Sequence, residues 1–372
     1  AKRRQVRVIQ ARGRFQDSHT IQLESEDESL GDDRSLSFDH CILATGSRPA
    51  CPPSLAIDSP RVMDSRSALE LAEIPERLLV IGGGYIGLEL GTVYARLGSQ
   101  VSVAELTDGL LPGVDRDLVK VLQRQLESLF TDPLMLETRV DAIEDTGSHL
   151  KVSMTGPDGL LEEQFDRVLI AVGRTPASTD LGLENTQVAV NEQGFVVTDD
   201  QQRTRDAAIL AIGDVSGEPM LAHHASCQAK VAVRTLQGSE KESATPLVPA
   251  IVFTDPEIAW VGLTQTAARQ QQRKVRPAVY PWAASGRAQA LGRTDGLTRW
   301  LVDPETDQLV GCGIVGAGAG DLIAEAVLAI QRGCQVHDVA ELIHPHPTLS
   351  ETLGGAAEVY LGTATEVYKP RR

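Results

Sequence analysis

The stretch RLLVIGGGYIGLELGTVYARLGSQVSVAEL, residues 77–106, leaves the chain few ways to fold. The apolar run "LLVI" meets three glycines. A helically spaced segment then runs from about Ile86 to Leu97, and "QVSVAE" follows as a second buried strand. Strand, helix and strand in so short a span require a right-handed crossover onto a parallel sheet. Gly82, Gly84 and Gly87 form G-x-G-x-x-G at the first strand–helix turn. The first glycine permits the tight turn, the second lets a pyrophosphate approach the backbone, and the third lets helix and strand pack closely. The diphosphate would rest on the helix N-terminus, where free N–H groups and the helix dipole favour negative charge. Glu105 closes the second strand, where a carboxylate accepts a ribose 2′-hydroxyl and repels a 2′-phosphate. No arginine stands next to it, so NAD is expected rather than NADP. The plainer alternative makes Glu105 a solvated strand end.

Around this unit the pattern changes three times. Residues 1–50 alternate apolar and polar positions, with "VRVIQARGRF" reading as a strand, "DESLGDDRS" as a polar turn, and "FDHCILATGSRP" as a buried strand meeting a Gly-Ser turn. A proline-rich connection, "RPACPPSLAIDSPR", follows. Beyond Glu105 come a helix over 116–130, short strands at "LMLETRV" and "LKVSMT", and two similar buried strands, "RVLIAVGRTP" and "AAILAIGDVSG", each closing on a glycine. From Leu247 the runs "AIVFTDPEIAWVG", "LTRWLVD" and "LVGCGIVG" read as a mainly antiparallel sheet. "GDLIAEAVLAIQRG" is a helix with one apolar face, so the tail is a separate α+β domain.

Close to the C-terminus, "HPHPTLSE" places His346 between Pro345 and Pro347, five residues before Glu351. Prolines restrict the backbone on both sides of the ring. A neutral imidazole accepts a proton near neutral pH, and a carboxylate on its far nitrogen fixes the tautomer. The pair therefore qualifies as a general base and its orienting acid. The plainer reading is a surface turn, and His344 is expected to be structural.

Composition excludes several classes. A net charge of −16 argues against nucleic acid, whose phosphates require clustered lysine and arginine. No apolar run approaches the ~20 residues of a membrane span. The basic start, "AKRRQVRVIQ", lacks the apolar core of a secretory signal. Cys41, Cys51, Cys227, Cys312 and Cys334 form neither a C-x-x-C pair nor a zinc-like cluster, so idle thiols in a cytoplasmic protein are expected.

Beyond these local readings, "LLVIGGGYIGLELGTVYARLGSQVSVAE", "LIAVGRTP", "ILAIGDVSGEPMLAHHAS", "IVFTDPEIAWVGLT", "YPWAASGRA" and "HPHPTLSE" occur in the order seen in the FAD-dependent pyridine nucleotide–disulfide oxidoreductases. The chain resembles that family from end to end. It is most similar to bacterial members that oxidise protein-bound dihydrolipoamide with NAD⁺ in 2-oxoacid dehydrogenase complexes. The resemblance implies an α/β fold with two Rossmann-like, three-layer nucleotide-binding domains, the first incomplete, and a C-terminal α+β dimerisation domain. The implied parts are 1–57 of the FAD domain, an NAD domain over 58–177, a central segment over 178–246 returning to the flavin, and a dimerisation domain over 247–372.

The resemblance also implies roles for residues. FAD would be bound by Gly13, by Thr45, Gly46 and Ser47 of "ATGS", by Asp214, and by Met220, Leu221, Ala222 and His223 along the isoalloxazine edge. NAD would be bound by Gly82, Gly83, Gly84, Tyr85, Ile86, Gly87, Glu105, Val140, Ala171, Val172, Gly173 and Arg174. His346 and Glu351 would act on the disulfide and substrate of the other subunit of a homodimer. Implied partners are a lipoyl domain and the acyltransferase core of the complexes. Tyr85 has two readings: a ring covering the flavin until nicotinamide displaces it, as the same "GYI" of glutathione reductases implies, or a helix-start residue packed on its neighbours.

Two departures qualify the likeness. The family carries an earlier G-x-G-x-x-G for FAD and a C-x-x-x-x-C redox pair; neither occurs here, so this sequence lacks the ADP-binding half of the flavin fold and the electron-relaying disulfide of the family pattern. "LAHHASCQAK" has His224, Gln228 and Ala229 where the family pattern has lysine, glutamate and glycine. Two rival functions remain: another NAD(P)H-dependent disulfide reductase of the same superfamily, such as glutathione or mercuric reductase, and a non-catalytic NAD-binding fragment.

Overall fold

A computed structural model of the chain describes residues 2–24, 34–130, 134–238 and 247–367. The turn expected at "DESLGDDRS" lies largely outside the described residues. The chain forms two compact units, one of Ala1–Arg48 with Arg174–Pro246, the other of Pro49–Gly173 with Leu247–Arg372.

In the second unit the glycine-loop strand, Arg77–Ile81, lies at the centre of a five-stranded parallel sheet. Val62–Met63 and Arg167–Ile170 lie on one side, Gln100–Ala104 and Leu134–Met135 on the other. Leu78 to Ile81 are all buried, which is why this strand is uniformly apolar instead of alternating. The helix Tyr85–Arg96 turns Leu88, Leu90 and Tyr94 inward, and Arg116–Leu129 does the same with Leu118, Val119, Leu122 and Leu126. "LMLETRV" is two strands instead of one. Glu137 takes a left-handed φ of 51° between Leu134–Met135 and Arg139–Asp145, and the second of these opens a three-stranded antiparallel sheet with Leu150–Gly156 and Gly159–Phe165.

The C-terminal part of this unit is a five-stranded antiparallel sheet. Its order is Ala250–Val252, Glu257–Gly262, Leu309–Gly316, Leu297–Val302, Arg276–Pro281. The helices Ala319–Gln331, Val336–Ala340 and Glu351–Leu361 bury Ile323, Val336, Val339 and Leu353 in one core with Trp300, Ile314 and Val261 of the sheet. Val252, Ile258 and Val315 belong instead to the core that holds Leu118, Leu122 and Leu126.

The first unit contains an antiparallel sheet of Arg12–Asp17, Thr20–Glu24 and Ser35–Ser37, and the parallel pair Cys41–Leu43 and Ile209–Ala211. Its core joins Phe15, Leu43, Val196, Ile209, Ala211 and Val215. The strand read at "VRVIQARGRF" starts only at Arg12. Val6 and Val8 are exposed and have no strand to pair with among the described residues, so their alternation buries nothing. The two look-alike strands separate: Arg167–Ile170 joins the second unit and Ile209–Ala211 the first. No helix among the described residues is long and apolar enough to cross a membrane.

Candidate functional site

Contacts bring together some of the residues singled out by the sequence, at three places. At the glycine loop, Gly82 has φ +107° and a Cβ there would meet the Ala171 carbonyl oxygen at 2.5 Å. A Cβ on Gly87 would lie 2.2 Å from the Gly82 carbonyl oxygen, whereas one on Gly84 would have nothing within 4 Å. Two glycines are thus demanded by the protein's own packing, and the middle one leaves room for a ligand. Gly84 is also the residue before the helix Tyr85–Arg96 and offers no side chain to cap its first turn, the arrangement that suits a diphosphate. Gly87→Ala is expected to cost about 1–3 kcal/mol through overpacking against backbone and to weaken NADH binding. Thermal unfolding together with NADH titration checks both.

Glu105 is buried, and its oxygens are already engaged. Oε2 accepts the Gly83 N–H at 2.6 Å, and Oε1 accepts the Thr107 N–H at 2.8 Å and the Thr107 hydroxyl at 2.7 Å. The solvated strand-end reading of Glu105 is therefore wrong, because the carboxylate latches the glycine loop to the second strand. Sequence spacing alone missed Thr107 in this latch. Ala171 donates its N–H to the Ile81 carbonyl, Gly173 has φ +132°, and Val172 is exposed. Val140 points its side chain into the core with Ile143, Val152 and Phe165. Ile86 is partly buried against the sheet core, and Tyr85 opens the helix with 38% exposure.

The second place lies in the first unit. Ser47 donates its hydroxyl to Asp214 Oδ2 at 2.5 Å. Its Oγ accepts from Arg174 Nε at 2.6 Å, and its carbonyl accepts from Arg174 Nη2 at 2.9 Å. Arg174, expected on the NAD side, thus sends its side chain to the residues expected to hold FAD. Thr45 donates to the Ala177 carbonyl at 2.8 Å, and Gly46 has φ +71° with open space where a Cβ would stand. Gly13 sits in the strand Arg12–Asp17 opposite Leu23. Met220 and Leu221 lead into the helix Ala222–Leu236, whose first residues Ala222 and His223 are exposed. The departing residues have structural work: Gln228 Oε1 accepts the Gly213 N–H at 2.7 Å, next to Asp214, and the His224 ring meets the Pro219 carbonyl at 3.1 Å.

The third place is the C-terminal turn. His346 Nδ1 donates to Glu351 Oε1 at 2.8 Å, and the Thr348 N–H donates to Glu351 Oε2 at 2.7 Å. The Thr348 hydroxyl closes the turn onto the Pro345 carbonyl at 2.7 Å. Burial pushes the Glu351 carboxyl up, but the Thr348 N–H and the His346 ring outweigh it and hold it below the ordinary carboxylate range. The His346 side chain is 78% exposed, so its Nε2 is open to a reactant. His344 differs: it is 8% exposed and donates from Nε2 to Glu325 Oε1 at 2.9 Å.

Hydrogen bonding to Glu325 raises the His344 pKa against the opposing effect of burial. The Glu325 charge, the Leu342 main chain and the Glu351 charge add to it. A raised folded value means the protonated pair stabilises fully below the unfolded imidazole value of ~6.5, and the stabilisation is lost as pH rises through the folded value. Thermal midpoints measured across neutral pH should fall with rising pH in the natural protein, and this slope should flatten in His344→Leu.

Burial keeps Cys41 and Cys312 protonated. All five cysteines are unpaired, burial pushes Cys41 up to about 11, and buried Cys312 is raised further. Thiolates, not thiols, attack disulfides.

Residues 1–229 match the model of the pyridine nucleotide-disulphide oxidoreductase family, and residues 248–357 match that family's dimerisation domain. A dihydrolipoyl dehydrogenase of Vibrio parahaemolyticus is 43% identical over 99% of this chain and 76% of its own length. A second, from Haloarcula marismortui, is 39% identical over 96% and 76%. Among solved structures, LpdA of Mycobacterium tuberculosis superposes with a TM-score of 0.86 at 28% identity, covering 95% of this chain and 77% of that one. The Cu(II) complex of the HOCl-induced flavoprotein disulfide reductase RclA of Escherichia coli gives 0.84 at 28% identity, covering 93% and 77%. With both family models matched and close relatives aligned along nearly its whole length, the chain belongs to the pyridine nucleotide-disulphide oxidoreductases.

Proposed function

We propose that this chain is a dihydrolipoyl dehydrogenase of 2-oxoacid dehydrogenase complexes, with FAD and NAD as cofactors. It acts as a cytoplasmic homodimer on the lipoyl domain and docks on the acyltransferase core. The carrying observation is the His346 Nδ1–Glu351 bond of 2.8 Å, in a chain 43% identical to a dihydrolipoyl dehydrogenase over 99% of its length. Glu351 fixes the ring with Nδ1 as donor, which leaves Nε2 to accept a proton from a dithiol. The attacking species in disulfide exchange is the thiolate, so a base at that point is what the chemistry requires.

The proposed parts are the C-terminal part of the FAD-binding domain over 1–57, the NAD domain over 58–177, the returning segment over 178–246 and the dimerisation domain over 247–372. Gly82 to Gly87 and Ala171 to Gly173 hold the dinucleotide. The open space over Gly84 and the uncapped first turn support this reading. Glu105 holds the loop and turns away a 2′-phosphate. Ser47, Arg174 and Asp214 form the polar wall toward FAD, and Gly13, Thr45, Gly46 and Met220 to His223 are the further FAD-binding residues of this reading. When bound, FAD would supply the two-electron chemistry that links a dithiol to NAD⁺, since a dithiol cannot hand a hydride straight to nicotinamide. The reading needs a disulfide couple beyond the five cysteines described above, so turnover is measured on holoenzyme that carries it.

The expected result is flavin absorbance near ~450 nm, lipoamide reduction with NADH, a higher KM for NADPH, and no turnover of glutathione disulfide. Preference for NADPH or for glutathione disulfide would instead assign another reductase of the superfamily. Protein without flavin would leave only an NAD-binding fragment.

A further inference from the structure

"HPHPTLSE" contains two histidines, and each is bound to a carboxylate from a different helix. His346 meets Glu351, the first residue of Glu351–Leu361, and His344 meets Glu325 in Ala319–Gln331. Their exposure is opposite, 78% for the His346 side chain and 8% for His344. The His344 ring also lies against the backbone of Gly354, where a Cβ would come within 3.0 Å of its Nδ1. Gly354 is three residues past Glu351, hence on the same helix face as the acid that orients His346. One imidazole, 8% exposed, therefore touches the helix that carries Glu351 and is tied to Glu325 of Ala319–Gln331, at two residues' distance from the exposed ring.

We propose that the His344–Glu325 pair positions His346, by fixing the gap between the HPHP segment and the helix that presents Glu351. The inference rests on His346 being the base. His344 touches no reacting atom in this scheme. It acts through the His346–Glu351 bond, and the requirement for glycine at position 354 follows from the room its ring needs. A small error in ring placement has a large kinetic effect, since catalytic geometry is lost over distances near ~1 Å.

The test uses the flavin-loaded holoenzyme and four variants: His344→Leu, His344→Gln, Glu351→Gln and the His344→Leu/Glu351→Gln double. His344→Leu should lower kcat for lipoamide by about 10-fold or more with KM for NADH unchanged. His344→Gln, which keeps a donor toward Glu325, should recover most of it. The double variant should be no slower than Glu351→Gln, since both act on one bond. A readout independent of turnover is the rate of diethylpyrocarbonate acylation at His346, mapped by mass spectrometry. In His344→Leu it should move to the Glu351→Gln value.

Wild-type kcat in His344→Leu, equal losses in the Leu and Gln variants, or multiplying losses in the double variant would each overturn the inference. An acylation rate at His346 unchanged in His344→Leu would do the same. If His346→Gln itself keeps full lipoamide turnover, the base assignment fails; if it loses turnover while His344→Leu does not, only the positioning role fails.

Discussion

His346→Gln is expected to reduce lipoamide turnover by about 10²-fold or more, the usual consequence of removing a general base. Glutamine can still donate to Glu351 but cannot take up a proton. NADH–dye diaphorase activity should survive, because a dye withdraws electrons without any thiol being deprotonated. Steady-state assays of the two activities on one preparation separate loss of the base from loss of the fold. The 2.8 Å bond to Glu351 and the open Nε2 make the ring available for this role. Lipoamide turnover retained at the wild-type level would remove His346 from the mechanism.

Asp115→Ala is expected to destabilise the second unit by about 1–3 kcal/mol, the cost of leaving buried donors without their acceptor. Asp115 is 3% exposed and Arg299 2%. The Asp115 carboxylate accepts from Arg299 Nη2, from the Gln265 N–H at 3.0 Å and from the Thr266 N–H at 3.3 Å. It therefore ties the start of Arg116–Leu129 to the strand Leu297–Val302 and to the short helix Gln265–Gln270. Arg299 keeps Asp117 through Nη1, but its buried Nε has no acceptor, so the network has no spare partner to offer. Thermal and urea unfolding measure the loss. The double variant Asp115→Ala/Arg299→Met should recover part of it, because without the guanidinium no buried Nη2 is left lacking an acceptor. An unchanged unfolding midpoint in Asp115→Ala would show that the pair contributes nothing.

Much of the site was legible in the sequence where the chemistry is local. The glycine loop is a strand, a turn and a helix within one short span, and the demand on Gly87 comes from Gly82 and Val80 of that span, whereas the demand on Gly82 comes from the distant Ala171 and Val172. The HPHP turn is likewise closed by residues at most five positions apart. The parallel character of the central sheet followed from the crossover, and the antiparallel tail from its alternation. The misreadings fell where local pattern met an absent or distant partner. The alternation at Val6 and Val8 had no strand to pair with among the described residues, and Glu137 interrupted an apolar run with a left-handed residue.

What the sequence by itself determined, then, is the set of elements and the short-range pairs, because neighbouring residues meet at little entropic cost whatever the rest of the chain does. Only the tertiary structure decided the long-range partners. Arg174 is 127 positions from Ser47, and Asp214 is 167 from Ser47. Asp115 is 184 from Arg299, and Glu325 is 19 from His344. A charged or polar group taken out of water must find a partner where the packed elements leave it, and no spacing along the chain announces which one that will be.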